Sequence, residues 1–360
     1  VESTRSIQGG VSIIICCFNS SSELPATLSY LSSQDVPIGI PWEVIIVDNA
    51  STDNTTDVAL ASWPENHPAP LRIIKEPQAG LIYARYRGLA EAKYDYLSFI
   101  DDDNWVCPNW IQLVASIMRD RPEVGACGGL AEPQLDVIPP AWFAKVKGGY
   151  AVGPQGPEGG GDVTFTRGRL RGAGLTIRKS AWQQLIADGF SSLLVGHQGT
   201  TLTRGEDNEL CFALVLAGWR LWYEPRLQLY HHLQSHRLNW KYLRRMRRGG
   251  GAATLGFDPY RFAIEETYKE SKIHFWWSNG SAHMSRKHLH KWYFQACFVA
   301  MQLFKRPDKL LHALFFPTEG NFSDLGIESK LGRFVELIKK RKTYSTNICK
   351  IGCTRFSSSR

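Results

Sequence analysis

The stretch Tyr96-Leu97-Ser98-Phe99-Ile100-Asp101-Asp102-Asp103-Asn104-Trp105 decides how the rest of the chain is read. Its short apolar run predicts a buried strand, and the run stops abruptly in three carboxylates and an amide. Adjacent carboxylates repel one another unless donors or a cation lie close, and a hard divalent ion with oxygen ligands supplies such a charge. Alternate side chains of an extended segment point the same way, so Asp101 and Asp103 can face one ion while Asp102 faces elsewhere. The plainer alternative is a solvated Asx-rich turn that caps a helix starting near Pro108.

Upstream, Val11 to Phe18 is a β-branched run that predicts a buried parallel strand. Asn19 to Ser22 follows as loop and N-cap, with a helix to about Ser33. Trp42 to Val47 is a second strand that ends in Asp48-Asn49-Ala50-Ser51-Thr52-Asp53, and Leu71 to Ile74 is a third. A helix over Gly80 to Ala92 leads into the central strand. This alternation predicts a right-handed, mostly parallel, doubly wound α/β sheet, with ligands at the carboxyl ends of its strands. No Gly-x-Gly-x-x-Gly follows the first strand and no Gly-x-x-x-x-Gly-Lys-Ser/Thr occurs, which disfavours dinucleotide dehydrogenases and P-loop enzymes. An EF-hand fails as well, with Val106 where glycine is required and Gln112 where glutamate is required.

Downstream, a helix is expected over Cys107 to Arg119 and a strand over Val124 to Leu130. Residues 131–170, rich in Gly and Pro, read as a loop region that can order over a substrate. Leu170 to Ile177 reads as a strand whose glycines admit a close approach, and Lys179 to Ala187 as a helix. Glu206 and Asp207 open an amphipathic helix ending at Gly218, where simple dipole capping is the competing account. Leu221 to Tyr223 is a short strand. Leu227 to Phe257 contains no acid but carries Arg237, Lys241, Arg244, Arg245, Arg247 and Arg248. Gly249-Gly250-Gly251 suggests a mobile segment after that run, and the last hundred residues are helical and aromatic-rich.

The 360 residues, 43% hydrophobic and 21% charged, are ordinary for a globular protein, but the formal charge of +8 is unevenly spread. From Arg226 onward the net charge is +16, and before it −8. An acidic front half beside a basic back half suits a metal-binding site next to a phosphate- or membrane-facing surface. The eight cysteines show no zinc spacing and are expected as free, buried thiols. No signal peptide is visible and no apolar run approaches the roughly 20 residues needed to span a bilayer. A cytoplasmic location is therefore expected, with the basic, aromatic C-terminal part (including Phe275-Trp276-Trp277) a candidate for peripheral contact with an anionic inner leaflet or for a homodimer surface.

Taken together, five features resemble the inverting, metal-dependent family-2 glycosyltransferases of the GT-A fold, in that family's order over about residues 11–250. They are the Phe18-Asn19 strand end, the segment Val47 to Asp53, the stretch from Ala79-Gly80 through Ala84-Arg85 to Gly88, the triplet Asp101-Asp102-Asp103, and Gly205-Glu206-Asp207. The resemblance implies a GT-A catalytic domain over 1–235, with a donor half at about 11–105 and an acceptor half at about 106–235, followed by a basic helical region at 236–360. It implies transfer of a sugar from a nucleotide-diphosphate donor, UDP-linked by preference, to a glycan, lipid-linked or small-molecule hydroxyl, as in cell-surface polysaccharide synthesis. Phe18, Asn19, Asp48 and Asn49, with Arg85, Asp101 and Asp102, would hold the donor nucleotide. Asp103, with Asp101, would bind Mn²⁺ or Mg²⁺, and His231 or His232 would add a ligand. Asp207 would be the general base, with Glu206 binding the acceptor or substituting for it. Arg244, Arg245, Arg247 and Arg248 would clamp the diphosphate. Trp105 and Trp142 could stack on sugar rings, although packing is the commoner fate of a tryptophan.

Two other readings compete. A nucleotidyltransferase would want a Gly-rich, basic loop after the first strand, where this chain has Asn19-Ser20-Ser21-Ser22. A non-catalytic basic protein binding anionic membrane or nucleic acid would use residues 237–248, but the front half is acidic and no nucleic-acid motif is present, so no nucleic-acid partner is expected.

Overall fold

In the computed structural model the described residues are 9–194, 205–268 and 291–354. The expectation for Phe275-Trp276-Trp277 therefore falls outside them. Nine strands among the described residues form one sheet: β1 (Val11–Cys17), β2 (Trp42–Asp48), β3 (Leu71–Lys75), β4 (Tyr96–Phe99), β5 (Asn104–Val106), β6 (Val124–Leu135), β7 (Gly161–Asp162), β8 (Thr176–Arg178) and β9 (Arg220–Leu233). Their order is β3-β2-β1-β4-β8-β6-β9-β5, with β7 pairing to β9. The β3-β2-β1-β4 half is parallel. β8 runs antiparallel to both of its neighbours, β6 and β9 are parallel, and β5 returns antiparallel along β9.

The continuous apolar runs are explained by burial on both faces. Ile13, Ile15, Val44 and Ile46 pack on one side with Leu24, Leu28 and Leu31 of the Leu24–Ser32 helix and with the Trp110–Asp120 helix. Ile14, Ile45, Val47 and Leu97 face the other side, toward Phe212 and Leu214 of the Glu206–Leu216 helix. Each such side chain, fully buried, contributes about 1.5–3 kcal/mol.

Several expectations need correction. Only Thr176–Arg178 of the stretch beginning at Leu170 is strand, because the residues before it bond to the Glu206–Leu216 helix and to Gln155 instead of a neighbouring strand. The Glu206–Leu216 helix is not amphipathic: Cys211 to Leu216 are all buried, since the helix lies between the sheet and the Trp240–Thr267 helix. The short strand at Leu221 is a 14-residue strand that carries His231 and His232 within it. Gly249 to Gly251 is not a loop but part of the 28-residue Trp240–Thr267 helix. There a Cβ on Gly251 would lie 1.9 Å from the Ser329 carbonyl oxygen, and one on Gly332 1.9 Å from that of Arg248. The glycines let this helix and the Phe322–Lys339 helix cross with their backbones almost touching. Among the described residues, no helix is long and apolar enough to cross a membrane.

Candidate active site at the carboxyl edge of the sheet

Because β1, β2 and β4 are parallel, their carboxyl ends share one edge; the register sets Cys17 beside Asp48 and Ile14 beside Phe99. Two loops at this edge lock together. Asn19, at φ 54°, donates its N–H to Ser51 Oγ at 3.0 Å, and its Oδ1 accepts from the Thr52 N–H at 2.7 Å. Asp48 accepts from the Ser51 N–H at 3.1 Å and from Thr56 Oγ1 at 3.0 Å. Asn49 donates to the carbonyls of Glu76 and Gln78 and accepts from the Gly80 N–H at 2.7 Å. Asn19 and Asn49 thus shape the edge through their own amides, while Phe18 projects from it, 60% exposed.

The three aspartates separate. The Asp102 carboxylate turns inward and accepts from the Ser20 hydroxyl, while its carbonyl accepts from Thr27 Oγ1 at 2.6 Å. Burial, then the neighbouring Asp103, pushes its carboxyl up to about 7. Asp103 Oδ2 lies 2.9 Å from Arg237 Nη1 and 3.4 Å from His231 Nε2, and Asn104 Nδ2 donates to its Oδ1 at 3.0 Å. Burial works against its ionisation, but His231 and Arg237 outweigh it and hold Asp103 below the usual carboxylate range. Asp101, raised by burial and by Asp103, is opposed by Arg85 and His231 and also feels Asp207.

That last interaction joins the second cluster to the first. Arg85, on the Leu81–Glu91 helix, stands among Glu206, Asp207 and Asp101; burial disfavours its charge, yet these carboxylates hold it more firmly protonated than usual. The Gly172 N–H donates to Asp207 Oδ2 at 2.8 Å, and Asn208 Nδ2 reaches Oδ1 at 3.4 Å. A Cβ at Gly172 would lie 2.9 Å from Arg85 Nη2, so a larger residue there would make that guanidinium shift. Glu206 Oε1 is buried without a hydrogen-bond partner, an acceptor held ready at the start of a helix whose positive dipole end suits it.

The donor set tests whether a divalent ion fits. His231 Nε2 and Asp103 Oδ2 are both largely buried and 3.4 Å apart, near the spacing of about 3 Å expected of adjacent ligands around an octahedral hard cation. A cation, Arg237, already stands on the same oxygen. His231 Nδ1 is buried and unpartnered, so nothing in the fold competes for the ring. Two donors therefore fit, and no group of three or more His, Cys, Asp or Glu able to hold a metal exists among the described residues. His232 is not free to ligate: Nδ1 bonds Glu23 and Nε2 bonds Asp136, both at 2.7 Å.

The four arginines expected as a clamp are not brought to the aspartates. Arg244 and Arg248 both pair with Glu328, at 2.6 and 2.5 Å, on the Phe322–Lys339 helix. Arg245 lies with Arg248 along a cavity of about 370 Å³ beside that helix, and Arg247 approaches Gly149. Arg237, named at the head of the same basic run but not among the four, is the one that reaches Asp103; its closeness in sequence to His231 and His232 was the signal that could have set it apart. Trp142 is buried, donating to Glu319 at 2.7 Å and packed edge-on against Trp240, and Trp105 is stacked between Tyr30 and His232.

Residues 12–146 match the family model described as glycosyl transferase family 2. The chain is 30% identical over 121 residues to YibD, an uncharacterized glycosyltransferase of Escherichia coli K12, covering 32% of this chain and 33% of that protein. It is 26% identical over 129 residues to the poly-beta-1,6-N-acetyl-D-glucosamine synthase of Staphylococcus epidermidis, covering 36% and 30%. The match spans about a third of the length of these curated relatives. Among solved structures, S. aureus TarS residues 1–349 aligns with a TM-score of 0.46 at 14% identity, over 93% of this chain and 91% of that one.

Proposed function

From the premise that residues 12–146 form a glycosyl transferase family 2 domain on a GT-A-like α/β sheet, we propose that the chain transfers a sugar from a nucleotide-diphosphate donor to an acceptor hydroxyl with inversion at the anomeric carbon. The observation that carries this reading is the meeting of two charged clusters, Asp101-Asp103-His231 and Arg85-Glu206-Asp207, at one carboxyl edge. The nucleotide would lie over the Phe18–Asn19 and Asp48–Asp53 loops, its ribose toward Asp101. Asp103 and His231 would hold Mn²⁺ or Mg²⁺, whose chemistry is to neutralise the departing diphosphate. Arg237, paired with Asp103 at 2.9 Å, would donate to the same diphosphate.

Asp207 is the general base of the proposal. One oxygen is pinned by the Gly172 N–H, and the other, which has a longer 3.4 Å contact from Asn208 Nδ2, would take the proton from the incoming hydroxyl as the new bond forms. Glu206 Oε1 accepts a second acceptor hydroxyl and sets its orientation. Arg85 keeps both carboxylates and Asp101 compatible at close range. The donor panel begins with UDP-sugars, tested with Mn²⁺ on the wild type and on Asp103→Ala. Turnover that EDTA and the substitution both abolish is expected. Failure of every nucleotide sugar to bind, or turnover indifferent to both treatments, overturns the reading.

A further inference from the structure

The C-terminal helices bound a cavity that the proposed reaction does not use. It measures about 370 Å³ and lies among the Trp240–Thr267, Pro307–Phe315 and Phe322–Lys339 helices, within the range of about 300–1,000 Å³ usual for ligand sites. Leu314, Leu331 and Val335 give it apolar walls, and Arg245, Arg248 and Lys339 set cations among them. The one carboxylate that lines it among the described residues, Glu336, lies 3.3 Å from Lys340 Nζ. Arg248 pairs with Glu328, yet half of its side chain stays exposed, and Arg245 and Lys339 are exposed residues.

Two apolar stripes meet at this cavity. On the Pro307–Phe315 helix, Leu310 and Ala313 are buried, while Leu311, Leu314 and Phe315, spaced to share a face, are exposed, Phe315 by 68%. Val335 and Ile338, one turn apart on the Phe322–Lys339 helix, are exposed beside Lys339, and Lys340, Arg341 and Lys342 follow. An exposed apolar surface of this kind marks an interaction site, and charge decides between occupants. A second copy docked about a two-fold axis would set the patch against itself and bring these cations face to face. A nucleic acid would meet the cations but leave the apolar stripes in water. An anionic phospholipid meets both, with a phosphate for the cations and an acyl chain for the apolar walls.

We propose that this cavity and the stripes beside it dock the chain on an anionic lipid bilayer, seating one phospholipid with its phosphate against Arg245, Arg248 and Lys339 and part of an acyl chain between Leu314, Leu331 and Val335. The apolar contact fixes the site on the bilayer surface, and the cations select the headgroup charge. The site does not depend on the transferase reading.

The test sediments the full chain with vesicles of phosphatidylcholine alone and of phosphatidylcholine mixed with phosphatidylglycerol. Wild type is compared with Arg245→Gln/Lys339→Gln and with Leu314→Ser/Val335→Ser, each checked for unchanged thermal unfolding; Phe315→Ser, at a more exposed position, is the second apolar variant. Wild type is expected to bind the mixed vesicles at least about tenfold tighter than the neutral ones, and the Gln pair to bind them about thirtyfold more weakly. The Ser pair should weaken binding at least about tenfold, at low and at high salt alike. Glycerophosphoglycerol, the same headgroup without its chains, should not displace the vesicles. The proposal is overturned if the chain binds no vesicle, binds both kinds equally, or binds the mixed kind as well with the apolar substitutions as without them. Displacement by glycerophosphoglycerol overturns it in favour of a free phosphate ester. A dimer in equilibrium sedimentation that the Ser pair turns into a monomer overturns it in favour of a second copy of this chain.

Discussion

Asp207 is set in place by a bond that its own sequence neighbourhood does not supply, the N–H of Gly172 thirty-five positions earlier. Replacing the carboxylate by an amide keeps that contact in shape but removes the proposed proton acceptor. Asp207→Asn is expected to lower kcat at least about 100-fold while leaving donor affinity near wild type, and a kcat and KM comparison checks it. Asp53 shows how a loop residue does structural work. Its Oδ1 accepts from the Thr55 N–H at 3.1 Å and its Oδ2 from the Ser21 N–H at 3.1 Å, joining the two loops that would receive the nucleotide. Its slight burial pushes the carboxyl up, but the bonds from Thr55 and Ser21 win and draw it down to about 2. A depressed carboxylate contributes stability above its unfolded value of 3.8, and that contribution is lost as pH falls toward about 2. The stability difference between wild type and Asp53→Asn should therefore shrink from pH 4 to pH 2, as followed by urea unfolding across that range.

Among the elements, the crossing of the Trp240–Thr267 and Phe322–Lys339 helices depends on having no side chain at two positions. A Cβ at either Gly251 or Gly332 would sit 1.9 Å from a carbonyl oxygen of the opposite helix, which a flexible side chain cannot relieve. Gly332→Ala should cost about 2 kcal/mol or more, because the helices must move apart and loosen their packing over several turns. The drop in denaturation midpoint measures it. The same crossing turns Arg244 and Arg248 of the basic run toward Glu328, away from the proposed diphosphate position.

Across the whole molecule, the C-terminal helices are tied together by one buried ionic knot. Asp258 pairs with Arg333 at 2.7 Å and accepts from the Tyr344 hydroxyl at 3.0 Å, while Arg333 also donates to Gln295 Oε1 at 3.1 Å. Four helices thus converge on one ion pair. Asp258→Ala leaves the Arg333 guanidinium buried without its counter-charge and should cost about 3–5 kcal/mol. Calorimetry is expected to show a lower melting temperature for Asp258→Ala, whereas Asp120→Ala, at an exposed pair, should change it little.

The sequence by itself determined the parallel core and the edge where the chemistry gathers. Runs such as Val11 to Cys17 and Trp42 to Asp48 are apolar at most positions, as two buried faces demand, with the buried Ser12 and Glu43 bonded to each other, and each leads into a polar loop. These are local properties, legible in a window of ten residues. The tertiary structure alone decided which distant groups meet there. β9 had to run 14 residues and pair with β5 before His231 could stand beside Asp103 and His232 between Glu23 and Asp136. Arg237 rather than Arg244 reaches the aspartate because one precedes the long helix and the other is turned toward Glu328 within it. Charge pairing depends on separation in space, and the periodicity of a segment carries no record of what a remote segment will place opposite it.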